Sequence, residues 1–307
     1  MVHPEILIQP NGRLANQMFQ MMIALQIQRR AGMGEILGYN MPEWKLVSRP
    51  VPDRDRRSLV LHGHHFDLDY IAYILKSGLM DAVYILGWGM RLPYFGSPEP
   101  YRNLFQTSLK GDVVREDELL IHIRGEDILS GWHHHYFPMP FSFYENVIEL
   151  TGLRPVFMGQ IDDDEFSSAL RRRFPDARYF PQRSVVEDFM TLRNAAHVVL
   201  SVSSYAWLAT WLSEKAKTIH LPVAGLFSPL NRETFLLPVG DKRYEFYKVS
   251  MPDPEARKRL NFLQWVETHP FEGTLNLDGI RGYIFAPAPG QGKRAGAASD
   301  VPSSRDG

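Results

Sequence analysis

Short apolar runs alternate along the chain with longer stretches in which apolar residues recur every three or four positions. The apolar runs are typical of buried strands, and they span Glu5–Pro10, Ala82–Trp88, Glu118–Arg124, Pro155–Gln160, His197–Val202 and Lys217–Pro222. The amphipathic stretches predict helices over Ala15–Ala31, Phe66–Ser77, Pro140–Thr151, Asp164–Phe174, Val185–Ala195 and Ser204–Glu214. This alternation indicates βαβ units, so we predict an α/β fold with mainly parallel sheets and helices on both faces.

The predicted elements fall into two groups, separated by a proline-containing stretch of little periodicity. We therefore expect an N-terminal Rossmann-like lobe over residues 1–115 and a C-terminal Rossmann-like lobe over residues 116–283. Residues 223–283 are aromatic-rich and irregular, and Pro254–Glu267 is expected to form a helix that crosses back to the first lobe. Residues 284–307 are small, polar and rich in Gly, Pro and Ser, which predicts a disordered tail.

The charge balance excludes partners that need a strongly basic surface. The chain of 307 residues has 34 Lys and Arg against 35 Asp and Glu, for a formal net charge of −1. Proteins that bind nucleic acid neutralise many phosphates with a basic patch, so this balance argues against such a partner. Any phosphate bound here should be small and locally held. The absence of cysteine excludes disulfides, thiolate metal ligands and cysteine nucleophiles.

No segment of the sequence has the pattern of a membrane or export signal. The first 17 residues lack the basic flank and apolar run of a signal peptide. No uninterrupted apolar stretch reaches the ~18 residues that a membrane-spanning helix needs. We therefore expect a soluble, cytoplasmic protein of bacterial type.

Residues 11–20 form the first candidate binding segment, because they connect a predicted strand to the helix that follows it. Gly12 permits close approach of the backbone to a ligand, and Arg13 supplies positive charge. The start of the helix offers free N–H groups to an anion. The alternative is an ordinary turn in which Asn16 and Gln17 bond the backbone.

The second candidate segment is the carboxyl end of the predicted strand that contains His122 and Arg124. Side chains in this position face the ligand cleft of a parallel sheet. The Arg124 guanidinium can hold a diphosphate through paired hydrogen bonds and stabilise charge on a departing nucleoside diphosphate. The alternative is a surface ion pair between Arg124 and Asp127.

The third candidate segment is Ser203-Ser204, which lies between a predicted strand and an aromatic-rich helix. Hydroxyl groups and backbone amides at a helix start can hold phosphate without net charge. The alternative is a pair of ordinary helix-capping serines. Trp207 and Trp211 lie one turn apart and are expected in the core.

Taken together, the three segments resemble the α-1,2-fucosyltransferase family of inverting, GDP-fucose-dependent glycosyltransferases. The family's first motif, roughly G-x-L-G-N-Q-M-F-Q, is matched at Gly12, Leu14, Asn16, Gln17, Met18, Phe19 and Gln20, with Ala15 replacing a glycine. Its second motif, H-x-R-R-G-D, is matched at His122, Arg124 and Asp127. Its third motif, roughly S-N-S-S-F-S-W-W-x-A-W-L, is matched at Ser201, Ser203, Ser204, Tyr205, Trp207, Trp211 and Leu212. The resemblance covers residues 5–222 in the family's order.

The resemblance implies a GT-B-like architecture, in which two Rossmann-like lobes face a cleft and the second lobe holds most of the nucleotide. It implies that Arg124 grips the GDP diphosphate, that Ser203 and Ser204 bind phosphate oxygens, and that His122 orients this region. The implied reaction transfers fucose from GDP-fucose to a glycan hydroxyl, in α-1,2 linkage, without a metal or other cofactor.

Four further positions follow from the same resemblance. Asn16 and Gln17 are expected to line the fucose or acceptor side of the cleft. Asp162 belongs to a segment similar to the family's F-S-D-D segment, which lies near the nucleotide. Asp188 matches an acidic position upstream of the third motif.

The chain departs from the family at the second motif. Gly125 and Glu126 stand where the family has its second Arg and its Gly, so one positive charge is replaced by an acid. An inverting transfer needs a base for the acceptor proton. Asp127 or Glu126 is the candidate base, because both follow Arg124 closely.

Alternative functions use other features of the sequence. Asp162-Asp163-Asp164 contains the D-x-D pattern of metal-dependent glycosyltransferases, although acids at a helix start also favour the helix dipole. The histidines at 62, 64, 65 and 133–135 raise a metal hypothesis without a placed companion acid. The missing second Arg also fits a non-catalytic protein that binds a nucleotide or glycan, or a transferase that uses another nucleotide sugar.

Overall fold

The computed structural model describes residues 4–53, 55–125, 128–129, 135–252 and 260–285. The strands are β1 Glu5–Ile8, β2 Glu35–Leu37, β3 Asn40–Met41, β4 Leu46–Val47, β5 Ser58–Leu61, β6 Ala82–Ile85, β7 Glu118–Ile123, β8 Arg154–Gly159, β9 Arg178–Tyr179, β10 His197–Val199, β11 Thr218–Val223, β12 Tyr244–Lys248 and β13 Thr274–Leu275. The helices are α1 Leu14–Ala31, α2 Leu68–Lys76, α3 Glu99–Leu104, α4 Phe141–Thr151, α5 Glu165–Arg173, α6 Val185–Asn194 and α7 Ser204–Trp211, followed by Phe262–Thr268 and Leu277–Phe285. Short 3-10 helices lie at Pro42–Trp44, Leu92–Tyr94 and Gly225–Phe227.

The N-terminal part of the described chain forms a parallel sheet in the order β2-β1-β6-β5. The strand β1 is buried along its whole length, because α1 and the neighbouring strands cover an apolar segment. The chain moves from β1 to β2 on one side, and β6 and β5 lie on the other side of β1. The strand order therefore reverses between β1 and β6, and such a reversal opens a ligand crevice at the carboxyl ends of the strands.

The C-terminal part forms a larger sheet in the order β13-β12-β11-β10-β7-β8-β9. Its strand pairs are parallel except for β12 with β13, which are antiparallel. The central strand β7 is buried throughout. Here the order reverses between β7 and β10, so this sheet also has a crevice at its carboxyl edge.

The two sheets share a continuous apolar core, which passes between α1 and α7. Phe19 of α1 stacks on Trp207 of α7 with ring centroids 6.0 Å apart, and Phe95 also packs against Phe19 at 5.7 Å. Trp207 stacks on Trp211 at 5.5 Å, which confirms the core position predicted for both. Aromatic burial thus fixes one lobe against the other.

A second connection between the lobes is the segment of residues 226–237, which we call the strap. The strap leaves the second lobe after β11 and pairs with the first lobe through a parallel bridge between Arg91 and Phe235. The Leu92 amide donates to the Phe235 carbonyl at 2.7 Å, and the Phe235 amide donates to the Met90 carbonyl at 2.9 Å. These backbone bonds hold the strap across one side of the cleft.

The predicted α/β class, the mainly parallel sheets and the GT-B-like pair of lobes around a cleft are confirmed. The structure differs from the prediction in the C-terminal stretch, which contains β12 as a full member of the sheet. The predicted helix Pro254–Glu267 begins only at Phe262 among the described residues. Residues 254–259 of this prediction lie outside the described residues. The described helix Phe262–Thr268 packs against α4 and α5 of the second lobe, and the crossing to the first lobe stays a prediction.

Two expectations about segments outside the sheets have different outcomes. Across the described residues, no helix is both long and apolar enough to cross a membrane. The predicted disordered tail lies almost wholly outside the described residues, which end at Phe285.

The packing of Phe19 predicts a measurable loss of stability on truncation. Phe19 is fully buried between the two lobes, and removal of a buried aromatic ring costs about 3–5 kcal/mol. We expect Phe19→Ala to lower the free energy of unfolding by that amount in urea denaturation. Val113→Ala is the control, because Val113 is 79% exposed, and its effect should stay within about 0.5 kcal/mol. Equal effects of the two variants would contradict this account of the core.

Candidate functional site

A cavity of about 860 Å³ lies between the two sheets, where the carboxyl edges of both open. The first lobe lines it with the β1–α1 turn and with residues that follow β5 and β6. The second lobe lines it with the ends of β7 and β8, the starts of α6 and α7, and the strap. The predicted residues that line this cavity are Gly12, Arg13, Asn16, His122, Arg124, Asp188, Ser203 and Ser204.

The β1–α1 turn is fixed by its own side chains. The buried Gln20 amide donates to the carbonyls of Gln9 at 2.9 Å and Ile85 at 3.2 Å, and its oxygen accepts from the Asn11 amide at 3.3 Å. This one side chain therefore ties the end of β1 to the end of β6. These bonds fix the position of the turn within the first lobe.

Glycine is favoured at position 12 by the backbone conformation of this turn. Gly12 has φ +77°, which L side chains rarely adopt, and a Cβ there would also displace the side-chain nitrogen of Asn16, which would lie 2.2 Å away. Gln17 donates to the Gly12 carbonyl at 3.2 Å and is not among the cavity-lining residues, so its contact here is with the backbone of the turn. The open face of the turn presents Arg13 and Asn16 to the cavity.

The reversal point of the first sheet is crossed by a tryptophan. The Trp88 indole N–H, which follows β6, donates to the Asn11 carbonyl, which follows β1, at 3.2 Å. The His64 ring packs beside Trp88 with centroids 5.7 Å apart. His64 Nδ1 accepts from the Met90 amide at 3.1 Å, so its neutral ring carries the proton on Nε2. Burial lowers the pKa of His64 to about 4, which keeps the ring a neutral donor on the cavity wall.

The reversal point of the second sheet is crossed by a histidine. His122 of β7 bonds the Ser201 hydroxyl beyond β10 at 2.7 Å. Burial, with a smaller effect from the Arg124 charge, lowers the pKa of His122 to about 3. His122 is therefore neutral at physiological pH and adds no charge to the site. It joins the two strands whose ends carry Arg124 and Ser203.

Arg124 lies at the end of β7 with its guanidinium over the ring of Tyr136, 4.1 Å from the centroid. Cation–π stacking of this kind holds a guanidinium in place while its edge stays able to donate hydrogen bonds. The next residue, Gly125, donates its amide to Gln160 Oε1 at 3.1 Å. A Cβ at position 125 would meet the Gln160 carbonyl at 2.9 Å, so this loop packs tightly where the family resemblance has its second Arg.

The start of α7 combines helix capping with exposure to the cavity. Ser203 is the N-cap, and its hydroxyl accepts from the Ala206 amide at 3.3 Å. This is the ordinary capping role that the sequence left open. Ser204 follows as the first helical residue, and both serines line the cavity. The cavity therefore faces the N–H groups of a helix start.

Asp188 of α6 is a half-buried acid on the cavity wall, beside Tyr205 of α7. Burial raises the pKa of Asp188 to about 6. Burial, together with the nearby Asp188 charge, also raises the pKa of Tyr205, whose hydroxyl donates to the Val185 carbonyl. A raised carboxyl pKa means that native stability falls as pH rises from about 4 through 6. A ligand that donates hydrogen bonds to ionised Asp188 would offset this cost.

Other predicted positions lie elsewhere. Asp162 is not among the residues that line the cavity. Asp164 caps α5, and its carboxylate accepts from the Ser167 amide at 2.7 Å. Within the described part of the chain, no group of three or more acids and histidines is placed to hold a metal ion. The candidate bases Glu126 and Asp127, with His133 and His134, lie outside the described residues.

Several cavity residues carry no motif signal that sequence analysis used. They are Trp88, Arg183 and Glu233, together with His64 and His135, which are named above only in the histidine metal hypothesis. Arg183 pairs with Asp112 at 3.2 Å. Because Asp112 precedes β7, this ion pair connects the segment between the lobes to the segment before α6.

Comparisons with known proteins give distant structural likeness alone. No protein-family model matches the chain, and no curated protein sequence is similar to it. Two solved structures are similar over 95% of this chain and 71% of theirs, each with 14% identity and a TM-score of 0.41. One is the bacterial iron-containing dodecameric glycosyltransferase TibC from enterotoxigenic E. coli H10407. The other is the dodecameric iron-containing heptosyltransferase TibC in complex with ADP-D-β-D-heptose. Similarity at this level establishes neither a family nor an activity for this chain.

Proposed function

We propose that this protein is an inverting glycosyltransferase that transfers a sugar from a nucleoside diphosphate to a glycan hydroxyl. One observation carries the proposal. The crevices at the reversal points of both sheets open into a single cavity, which is lined by Arg124 and by the starts of α1 and α7. A donor with a charged middle and two polar ends fits a cavity of this composition.

The diphosphate is held by the second lobe. Arg124 donates to the phosphate oxygens, and the α7 start offers backbone N–H groups beside Ser203 and Ser204. These groups stabilise the charge that grows on the leaving diphosphate as its bond to the sugar breaks. Arg183 brings a second guanidinium to the second-lobe side of the cavity. At position 125, where the family motif has its second Arg, the backbone packs closely against Gln160.

GDP-fucose is the proposed donor, on the basis of the three sequence motifs and the position of Asp188. Ionised Asp188 can accept from both N1–H and N2–H of guanine, a paired interaction that adenine cannot offer. The resemblance also supports an α-1,2 linkage. The alternative donor is a different nucleotide sugar. The replacement of the motif's second Arg by Gly125 supports this alternative, because that Arg belongs to the GDP-fucose-dependent family's motif.

The first lobe supplies the sugar and acceptor side of the cavity. Arg13 and Asn16 face it from the β1–α1 turn, and His64 and Trp88 face it from the ends of β5 and β6. Neutral donors and an aromatic ring suit the hydroxyl groups and the apolar face of a sugar. Gln17 supports this surface through Gly12, and Asp162 is kept as a candidate near the nucleotide on the resemblance alone.

A first prediction tests the diphosphate site. We expect GDP and GDP-fucose to raise the melting temperature, because a ligand that binds only the native state stabilises it. Arg124→Ala removes a charge-assisted hydrogen bond and should weaken GDP binding about 10- to 100-fold. Arg124→Lys should recover part of this loss, whereas Arg172→Ala, on the exposed side of α5, should bind normally. Turnover should continue in excess EDTA.

Two outcomes would contradict the proposal. Stabilisation by a UDP-sugar, with none by GDP or GDP-fucose, would remove GDP-fucose as the donor. Tight GDP binding without hydrolysis or transfer to any glycan would instead identify a non-catalytic binding protein.

A second prediction uses the raised pKa of Asp188, which lies near 6. The carboxylate accepts from guanine only when ionised, so the ratio of GDP to ADP affinity should fall as pH drops through about 6. The ratio is the useful measure because titration of the phosphate affects both nucleotides alike. Asp188→Asn should lower the ratio and remove its pH dependence in calorimetric titrations. A ratio that does not change with pH in the wild-type protein would refute this contact.

A further inference from the structure

A carboxylate that takes the acceptor proton must lie on the wall of the cavity. Among the described residues that line it, the carboxylates are those of Asp188 and Glu233. Asp188 lies beside α7 on the nucleotide side. Glu233 lies on the strap, near His64 of the first lobe: burial lowers the pKa of His64, and the nearby Glu233 charge partly opposes that shift.

We propose that Glu233 is the general base of the transfer, an assignment that rests on the proposed glycosyltransferase function. The strap places this second-lobe residue on the first-lobe side of the cleft. Its backbone bonds to Met90 and Leu92 anchor Phe235, two residues further on. The Glu233 side chain is 69% exposed, so an acceptor hydroxyl can approach it without a rearrangement of the fold.

The turn that carries Glu233 is fixed by hydrogen bonds. The Glu233 amide donates to Asn231 Oδ1 at 3.1 Å, and Asn231 Nδ2 donates to the Thr234 hydroxyl at 2.8 Å. That hydroxyl donates to the Leu226 carbonyl at 2.9 Å. The carboxylate is thus presented by a rigid turn rather than by a free loop.

His135 lies beside the carboxylate at ion-pair rather than hydrogen-bond distance and is the proposed positioning residue. Asn231 Nδ2 donates to His135 Nδ1 at 3.5 Å, which leaves Nε2 as the protonated nitrogen of the neutral ring. Nε2 lies 3.7 Å from Glu233 Oε2. The His135 backbone is held in turn, because its carbonyl accepts from Leu226 at 3.0 Å and packs against Gly225, where a Cβ would meet it at 2.2 Å.

The proposed transfer is a substitution at the anomeric carbon of the donor. The acceptor oxygen forms a bond to the anomeric carbon of the donor while the bond from that carbon to the diphosphate oxygen breaks. The acceptor proton passes to the Glu233 carboxylate. The electron pair of the broken bond leaves with the nucleoside diphosphate, beside Arg124.

The test uses azide, which attacks the anomeric carbon without having a proton to lose. With GDP-fucose as donor, we expect Glu233→Ala to lower release of fucose to water, and transfer to methyl β-galactoside, by at least about 100-fold. Formation of fucosyl azide of inverted configuration should stay within about threefold of wild type, and GDP affinity should not change. His135→Ala should lower transfer to oxygen in part and also spare azide. Glu149→Gln, on the exposed face of α4, is the control.

Other results would contradict the assignment of Glu233 or the proposed function. Normal hydrolysis in Glu233→Ala, or an equal loss of azide and oxygen transfer, refutes Glu233 as the base. The azide-sparing pattern in Asp127→Asn or Glu126→Gln, and not in Glu233→Ala, assigns the base to one of those two residues. If the wild-type protein neither binds nor cleaves any nucleoside diphosphate sugar, the proposed function fails, and the base assignment fails with it.

Discussion

The contact between α1 and α7 is the constraint on which the site depends. Each of these helices follows a strand next to a reversal point, so its start lies at the carboxyl edge of its own sheet. Stacking of Phe19 on Trp207 packs the helices against each other and holds both starts at one cavity. This packing brings the crevices of the two lobes together in one shared cavity.

The two lobes use different side chains to bridge the strands at the reversal points of their sheets. A parallel sheet loses its neighbouring-strand hydrogen bonds just beyond a reversal point, because adjacent chains diverge there. In the first lobe, the Trp88 indole spans the gap to Asn11. In the second, neutral His122 spans the gap to Ser201. Each bridge leaves the adjacent polar residues, Asn16 in one lobe and Ser203 in the other, directed to the cavity.

The strand β7 could be predicted because its apolar residues are continuous, as both faces of a central parallel strand are covered. The strand β12 could not, because charged residues interrupt the aromatic ones in its sequence YEFYK, and β5 could not, because its segment is only four residues long. In the cavity, Arg124 and Ser203 were accessible to prediction since each follows a strand within a motif. Glu233 was not, because its place depends on how the strap crosses between lobes, which no local pattern encodes.

The strap also affects the entropy cost of ligand binding. With backbone bonds from Phe235 to the first lobe and the aromatic contact at Phe19, the lobes are joined on more than one side of the cleft. A protein joined in this way has little interdomain freedom to lose when a substrate binds. The entropy of association then falls mainly on the ligand and on a few side chains. Discrimination between ligands would arise from the fixed shape of the cavity rather than from closure around the right one.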